Sequence, residues 1–334
     1  MTRHIRGLTP TAPTTPGRSR CQTPTASGRC RGLVPTTAGR SRGLAPTAPT
    51  VALTLVLSLA AGCARGPVID TQQVSAALMH GPLPAEDPAA TVWDTAPEHP
   101  AALMVQDVTE PRLVRPGVSL VKVRALHDGT TIVFRLQWDD RTRDIIPESG
   151  RSSDAAAIQF AVQPGADVPN AAMGETGKPV EICYWKAVWQ DDEERAKSGM
   201  DRIAALYPRA AIDAYPYAQN PAARAEMETR YAPAAAAGNP VTVRPQTGAV
   251  QEMVAEGFGT SSVPAEQKAS GRGAWVRNSW AVTMARPVKE GEGRSNLEVG
   301  TKTYVAFAVW DGAERQTGGR KMRSGWIPLL LGEK

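Results

Sequence analysis

Few side chains in this 334-residue sequence have the types and spacing that catalysis demands. Beyond residue 62 the histidines are His80, His99 and His127, and none stands in a Ser-His-Asp order or an HExxH stretch. "GETGK", Gly174 to Lys178, lacks the glycine spacing and the following helix of a phosphate-cradling loop. Cysteines are as scarce: Cys21 and Cys30 lie near the amino terminus, Cys63 closes an apolar run, and Cys183 alone is left in the remainder. With no CxxC or CxxCH, thiolate zinc sites and covalently attached haem are excluded. Two glycine-rich stretches remain, "AAMGETGK" with Met173 and "GGRKMRSGWIPLLL" with Lys321. A loop methionine is most often a gap filler, and a lysine among neighbouring arginines is most often solvated. The chain does not read as a self-sufficient enzyme.

The amino-terminal residues set the compartment. Positions 1–50 repeat a Pro/Thr/Gly/Arg-rich phrase ("RGLTPTAPT", later "RGLAPTAPT") without acidic residues or apolar periodicity, so they cannot bury a core. "VALTLVLSLAAGC", Val51 to Cys63, is too short to span a bilayer permanently but suits the core of a secretory signal. Its ending, Ala60-Ala61-Gly62 before Cys63, is lipobox-like, so we expect export and a diacylglycerol on the Cys63 thiol, the alternative being an ordinary signal peptide that happens to contain a cysteine. A signal normally has only a few residues before its apolar core, and we expect residues 1–50 to lie wholly or partly upstream of the true start. Eight of the 38 basic residues fall in 1–62 and none of the 33 acidic ones, so the rest carries a formal charge of −3. The basic balance belongs to the leader, and nucleic acid is not an expected partner.

The elements that must position any site follow. Residues 64–100 are Pro/Ala-rich and are expected to tether the domain to its anchor. From 101 to 334 the texture is that of a mainly β domain. In "VSLVKVRALHDGTTIVFRLQWDD" two alternating segments flank Asp128-Gly129, a hairpin signal. Further strands are expected in "AAAIQFAV", "VEICYWKAVWQ", "GAWVRNSWAVTMARP", "TYVAFAVWD" and "GWIPLLL", which together predict an antiparallel β-sandwich. Residues 191–240, rich in helix formers and then Pro and Tyr, are expected to be a partly helical insertion.

Three segments carry a family resemblance. "AAIQFAVQPGADVPNAAMGETGKPVEICYWKAVWQ" is similar to a motif of the haem b-binding gamma subunits of ethylbenzene dehydrogenase, dimethylsulfide dehydrogenase, selenate reductase and chlorate reductase. "VAEGFGT" (Val254–Thr260) and "YVAFAVWDGAERQTGGRKMRSGW" (Tyr304–Trp326) resemble the same family, in the same order, and the matches spread over Leu103–Leu331. The resemblance implies one non-covalent b-type haem enclosed by the sandwich, with Met173 and Lys321 as its axial ligands. The chemistry is sound: a thioether favours ferrous iron, and an amine ligates once burial and the metal's charge have removed its proton. Lys186 in "YWKAVW" is the rival lysine, able instead to reach a propionate or a partner, and Met322, Met253 and Met284 are lesser rivals. Trp310 and Trp326 flank Lys321 and are expected beside the haem, with Arg320 and Arg323 as propionate partners or surface cations.

The same resemblance implies partners. They are a molybdopterin catalytic subunit of the dimethyl sulfoxide reductase superfamily, an iron–sulfur subunit, and a cytochrome c or quinol-linked carrier that exchanges electrons with the haem. The substrate is set in the catalytic subunit. From another class, a haem-free sandwich lipoprotein that stacks carbohydrate on its tryptophans accounts for the strand pattern equally well.

Overall fold

The computed structural model describes residues 68–108, 110, 112–145, 151–163, 167–199 and 248–333, with single positions between 222 and 245. The leader, the apolar run, Cys63 and most of the 191–240 insertion lie outside the described residues. Thirteen strands follow one another from residue 74 onward: β1 (Val74–Leu78), β2 (His99–Ala102), β3 (Met104–Val105), β4 (Leu120–His127), β5 (Thr131–Asp139), β6 (Ala155–Ala161), β7 (Val180–Lys186), β8 (Val250–Ala255), β9 (Ser270–Trp275), β10 (Ser279–Pro287), β11 (Lys302–Trp310), β12 (Met322–Arg323) and β13 (Ile327–Leu331). An α-helix, α1 (Ala187–Lys197), and a short 3-10 helix, Thr91–Thr95, also lie among the described residues.

The hydrogen-bonded path runs β8-β7-β6-β11-β13-β1-β4-β5-β10-β9. Its two arms are antiparallel ladders, one from β8 to β13 and one from β4 to β9. They face each other as a sandwich. Phe134 of β5 meets Phe160 of β6 and Phe307 of β11 at ring distances of 5.7 and 6.4 Å, and Trp185 of β7 meets Trp280 of β10 at 5.1 Å. Burying rings of this size is the main stabilisation of such a core, at about 25 cal/mol per Å² of apolar surface. Edge strand β9 closes over β7 because Gly273 has no Cβ, which would otherwise run into the Trp185 indole.

Three boundaries differ from the sequence reading, each for a local reason. The stretch expected as a tether is folded in its described part. Val74 and Ala76 are buried, and β1 bridges the two arms by pairing parallel with β13 and with β4. Trp93 is buried as well, its indole N–H donating to the Asp87 carbonyl. The Pro/Ala composition hid a five-residue strand that needs only two inward side chains. "VEICYWKAVWQ" is a strand only to Lys186; there the Ala187 N–H turns to the Asp154 carbonyl and the helix formers of "AVWQDDEERAK" take over as α1. "GAWVRNSWAVTMARP" is two strands joined by Arg277-Asn278, both at positive φ (53° and 58°), a two-residue hairpin turn without glycine. The Asp128-Gly129 hairpin forms as expected, with Asp128 Oδ1 accepting from the Thr130 and Thr131 N–H groups at 2.8 Å.

Candidate functional site

Side-chain alternation decides where the cavity lies. In β6 and β11 the large residues Ile158, Phe160, Val305, Phe307 and Val309 point between the arms, and the aromatic contacts above fill that space. The opposite phase is small: Ala157 pairs with Ala308, and Ala306 with Gln159. This alanine floor, with Ile182, Tyr184 and Met253 from β7 and β8, lines a cavity of about 560 Å³ on the outer face of the β8-to-β13 arm. The volume falls within the roughly 300–1,000 Å³ of small-molecule and cofactor sites. Bulky inward residues occupy the space between the two arms, and small outward ones leave room for the cavity outside it.

Two loops roof the floor. The first carries Met173, which lines the cavity with the main chain at φ 74°. A left-handed conformation costs a non-glycine residue about 1–2 kcal/mol, so the loop is held there by its surroundings. The Gln159 amide donates to the Ala171 carbonyl at 2.9 Å, and the Ala172 and Gly174 N–H groups donate to the Asn170 side chain and carbonyl, both at 2.9 Å. Gly257, inside "VAEGFGT", donates its N–H to the Met173 carbonyl at 2.8 Å, which explains why that stretch accompanies the Met-Gly loop. Gly174 is itself at φ 80°, and a Cβ there would sit 2.9 Å from the Lys178 carbonyl oxygen. Truncation loses the packing of the Met173 side chain against the core in either case, so the backbone shows in a comparison: Met173→Gly should be about 1 kcal/mol more stable than Met173→Ala in the cofactor-free protein. Paired urea melts check this, and equal stability would show that the backbone is not held under strain.

The second loop carries Lys321. Gln106, beside β3, receives it: its N–H donates to the Lys321 carbonyl at 3.0 Å and its amide to the Gly319 carbonyl at 2.8 Å. The Trp310 indole donates to the Gly318 carbonyl at 3.0 Å, and the Lys321 Nζ lies 5.1 Å from the centre of the Trp310 ring. Among the described residues no carboxylate pairs with this amine. Glu110, at the cavity mouth, is engaged by Arg112 at 2.8 Å. Burial first, and the charge of Arg323 second, push the Lys321 amine down to about 8.

The other expected residues divide. Trp310 lines the cavity and is buried. Trp326 does not line it; its indole N–H donates to the Pro169 carbonyl and so braces the Met173 loop. Arg320 lines a separate crevice with Gln316 and Leu113, whereas Arg323 reaches the cavity wall. Lys186 lies on the same face as Tyr184 but outside the cavity lining, 5.0 and 4.7 Å from the Tyr184 and Trp189 rings, and burial pushes its amine down to about 8 as well. Of the rival methionines, Met253 is on the floor, Met322 takes the Gly117 N–H on its sulfur at 3.4 Å, and Met284 is buried in β10 away from the cavity. The alanine floor, Gln106, Gln159 and Phe258 had not been singled out. Their signal lay in the alternation of "VAFAVW" and "AAAIQFA", where one phase is bulky and the other small.

Comparison with known proteins bears on this arrangement. The ethylbenzene dehydrogenase family profile matches residues 90–322, both loops included. The chain belongs to that family. Curated members align with it at low identity over most of their length. The gamma subunit of chlorate reductase from Ideonella dechloratans is 23% identical, over 81% of this chain and 90% of that one. The gamma subunit of dimethylsulfide dehydrogenase from Rhodovulum sulfidophilum is 26% identical, over 72% and 73%. A protein of Haloferax mediterranei, provisionally named the haem subunit of a respiratory nitrate reductase, is 22% identical over 85% and 84%. Among solved structures, a family 9 carbohydrate-binding module from Caldicellulosiruptor kristjanssonii aligns at 6% identity and a TM-score of 0.37, covering 78% of this chain and 97% of the module. That likeness is too distant to bear on function.

Proposed function

We propose that this chain is the electron-transfer subunit of a molybdenum oxidoreductase complex and holds one non-covalent b-type haem between Met173 and Lys321. One observation carries the reading: a lysine amine with no acidic partner among the described residues and a methionine held at positive φ line the same alanine-floored cavity. When bound, the haem would supply one-electron transfer, and Met173 and Lys321 would hold its iron and keep oxygen and substrate from it. The residues fit such a group. Ala157, Ala306 and Ala308 offer a flat apolar surface, Trp310 forms a wall, and Arg323 offers a cation for a carboxylate at the mouth. Lys321 is prepared for ligation: at pH 7 an amine with a pKa of about 8 releases its proton across one unit, where a solvated lysine must cross more than three.

The names of the relatives, subunits of a chlorate reductase, a dimethylsulfide dehydrogenase and a respiratory nitrate reductase, support a place in a larger oxidoreductase complex. The family resemblance is what implies a molybdopterin catalytic subunit, an iron–sulfur subunit and a cytochrome c or other carrier. For the compartment, the apolar run ending in Cys63 supports export and a lipid anchor on the outer side of a membrane. The carbohydrate-binding alternative needs exposed aromatic platforms, and six of the eight tryptophans are buried and the other two half-buried.

The test is a spectrum of the protein purified from haem-replete cells. We expect a Soret band with low-spin b-type features, extraction of the haem as its pyridine adduct, and an intact mass that begins at a diacylated Cys63. A colourless protein that binds glycans would overturn the haem reading. A mature chain that retains residues 1–50 would overturn the anchor and leave the haem reading standing.

A further inference from the structure

Two groups of three carboxylates, two buried and one half-buried in each, lie apart from the cavity, and they differ in what neutralises them. Glu181, Glu252 and Glu290 bring oxygens within 4.8 Å of one another. Cations meet them there. Arg294 lies 2.6 Å from Glu181 and 3.1 Å from Glu252, Arg286 lies 3.4 Å from Glu181, and Lys268 lies 3.6 Å from Glu290. Asp140, Asp154 and Asp311 gather as tightly, yet no lysine, arginine or histidine among the described residues pairs with any of the three. The closest ion pair is one step removed, between Arg151 and the neighbouring Asp144 at 3.7 Å, and the Arg151 side chain is 58% exposed.

The second group is a built feature. Asp140 stands just past β5, Asp154 just before β6 and Asp311 just past β11, so three connections converge at one end of the sandwich. Asp154 is fully buried and aimed by the Gly312 N–H at 2.9 Å, the Asp144 N–H at 2.7 Å and the Trp280 indole at 3.0 Å. Asp140 is 4% exposed; one of its oxygens accepts from the Thr142 N–H at 3.0 Å, and the other, buried, has no hydrogen-bond partner. Gly312 permits the close approach, since a Cβ there would meet Asp144 and the Ser152 carbonyl.

We propose that Asp140, Asp154 and Asp311 hold a hard divalent cation, calcium by preference, at this end of the sandwich. Three ionised carboxylates at this spacing repel one another strongly in a medium of low dielectric. Without a cation the three carboxylates face one another with no basic side chain among the described residues beside them, and one buried Asp140 oxygen has no hydrogen-bond partner. An all-oxygen set drawn from three loops suits calcium, which accepts six to eight oxygens in flexible geometry. Magnesium demands a small octahedral shell, and zinc prefers nitrogen and sulfur. The cation would tie the β5–β6 connection to the segment after β11 that leads to Lys321. This inference does not rest on the haem reading.

Thermal melting of the full chain after EDTA treatment tests it. At a hundredfold excess over its dissociation constant, calcium should raise the melting temperature by about 5–10 °C, and magnesium by much less. Asp140→Asn should melt higher than wild type in EDTA, because a buried like charge is gone, and should lose most of the calcium response. Glu290→Gln, in the arginine-paired group, should keep that response. Equal calcium shifts in wild type and Asp140→Asn would place the ion elsewhere. No calcium shift at all, with stability falling as pH rises from 6 to 8, would show a proton-sharing group and no metal site. The sign of that second outcome follows from the raised carboxyl pKa values, whose stabilisation is lost as pH climbs through them.

Discussion

Lys321→Ala should abolish the low-spin spectrum and lower haem loading at least tenfold, while Lys186→Ala leaves both intact. Both amines are pushed to about 8, so basicity does not distinguish them; position does, because Lys321 lines the cavity and Lys186 does not. The pH dependence makes the assignment sharper. Ligation needs the neutral amine, so haem affinity of the wild type should fall about tenfold for each pH unit below 8 and level off above it. Stability of the cofactor-free protein should show the complementary trend. Because the folded pKa is below the ordinary 10.5, the unfolded chain holds more protons between about 8 and 10.5, and stability rises with pH across that window. Lys321→Ala should remove its share of that slope and leave the share of Lys186. A variant that kept both the low-spin spectrum and the pH-dependent affinity would falsify the ligand assignment.

Ala308→Phe should empty the protein of haem without unfolding it. Ala308 faces the cavity from the middle of β11, opposite Ala157, and a benzyl group there would occupy the surface against which a flat cofactor lies. Filling a pre-existing space costs the fold little. Its neighbour provides the converse. Phe307 also borders the cavity, but its ring points between the arms onto Phe134, so Phe307→Ala should cost about 3–5 kcal/mol of stability while the folded fraction keeps its spectrum. Paired melting curves and haem titrations on the two variants separate the outer face from the inner one. If Ala308→Phe bound haem normally, the alanine floor would not be the binding surface.

These adjacent residues also show how much was legible in advance. The strands of β4, β5, β6 and β11 follow period-two patterns that the sequence displays openly, and the Asp128-Gly129 turn joins the first two as expected. Alternation does not say which face is the core when both are apolar. Alanine and phenylalanine alike read as hydrophobic, so the side on which the cavity opens waited for the structure. The hairpin at Arg277-Asn278 was missed because its turn has no glycine, and β1 because two buried residues make no pattern. Met173 and Lys321 emerged from family resemblance and not from residue chemistry. A loop methionine and a loop lysine carry no local mark of a shared cavity, and nothing in composition reveals a positive φ or a missing counterion.

The folding of residues 68–100 into the sandwich would shorten the reach of the proposed lipid anchor. Val68 and Glu98 already exchange backbone hydrogen bonds with their neighbours across the chain, the Glu98 N–H donating to the Val68 carbonyl at 2.7 Å and the Asp70 N–H to the Glu98 carbonyl at 2.9 Å. An acyl group on Cys63 would therefore be separated from fixed structure by five peptide steps, which span at most about 18 Å when fully extended. A tether that ran to residue 100 would have let the domain range more than 100 Å from the lipid surface. If Cys63 carries the proposed lipid, five steps would moor the domain almost flush, and a carrier exchanging electrons with the proposed haem would have to come to the membrane to do so.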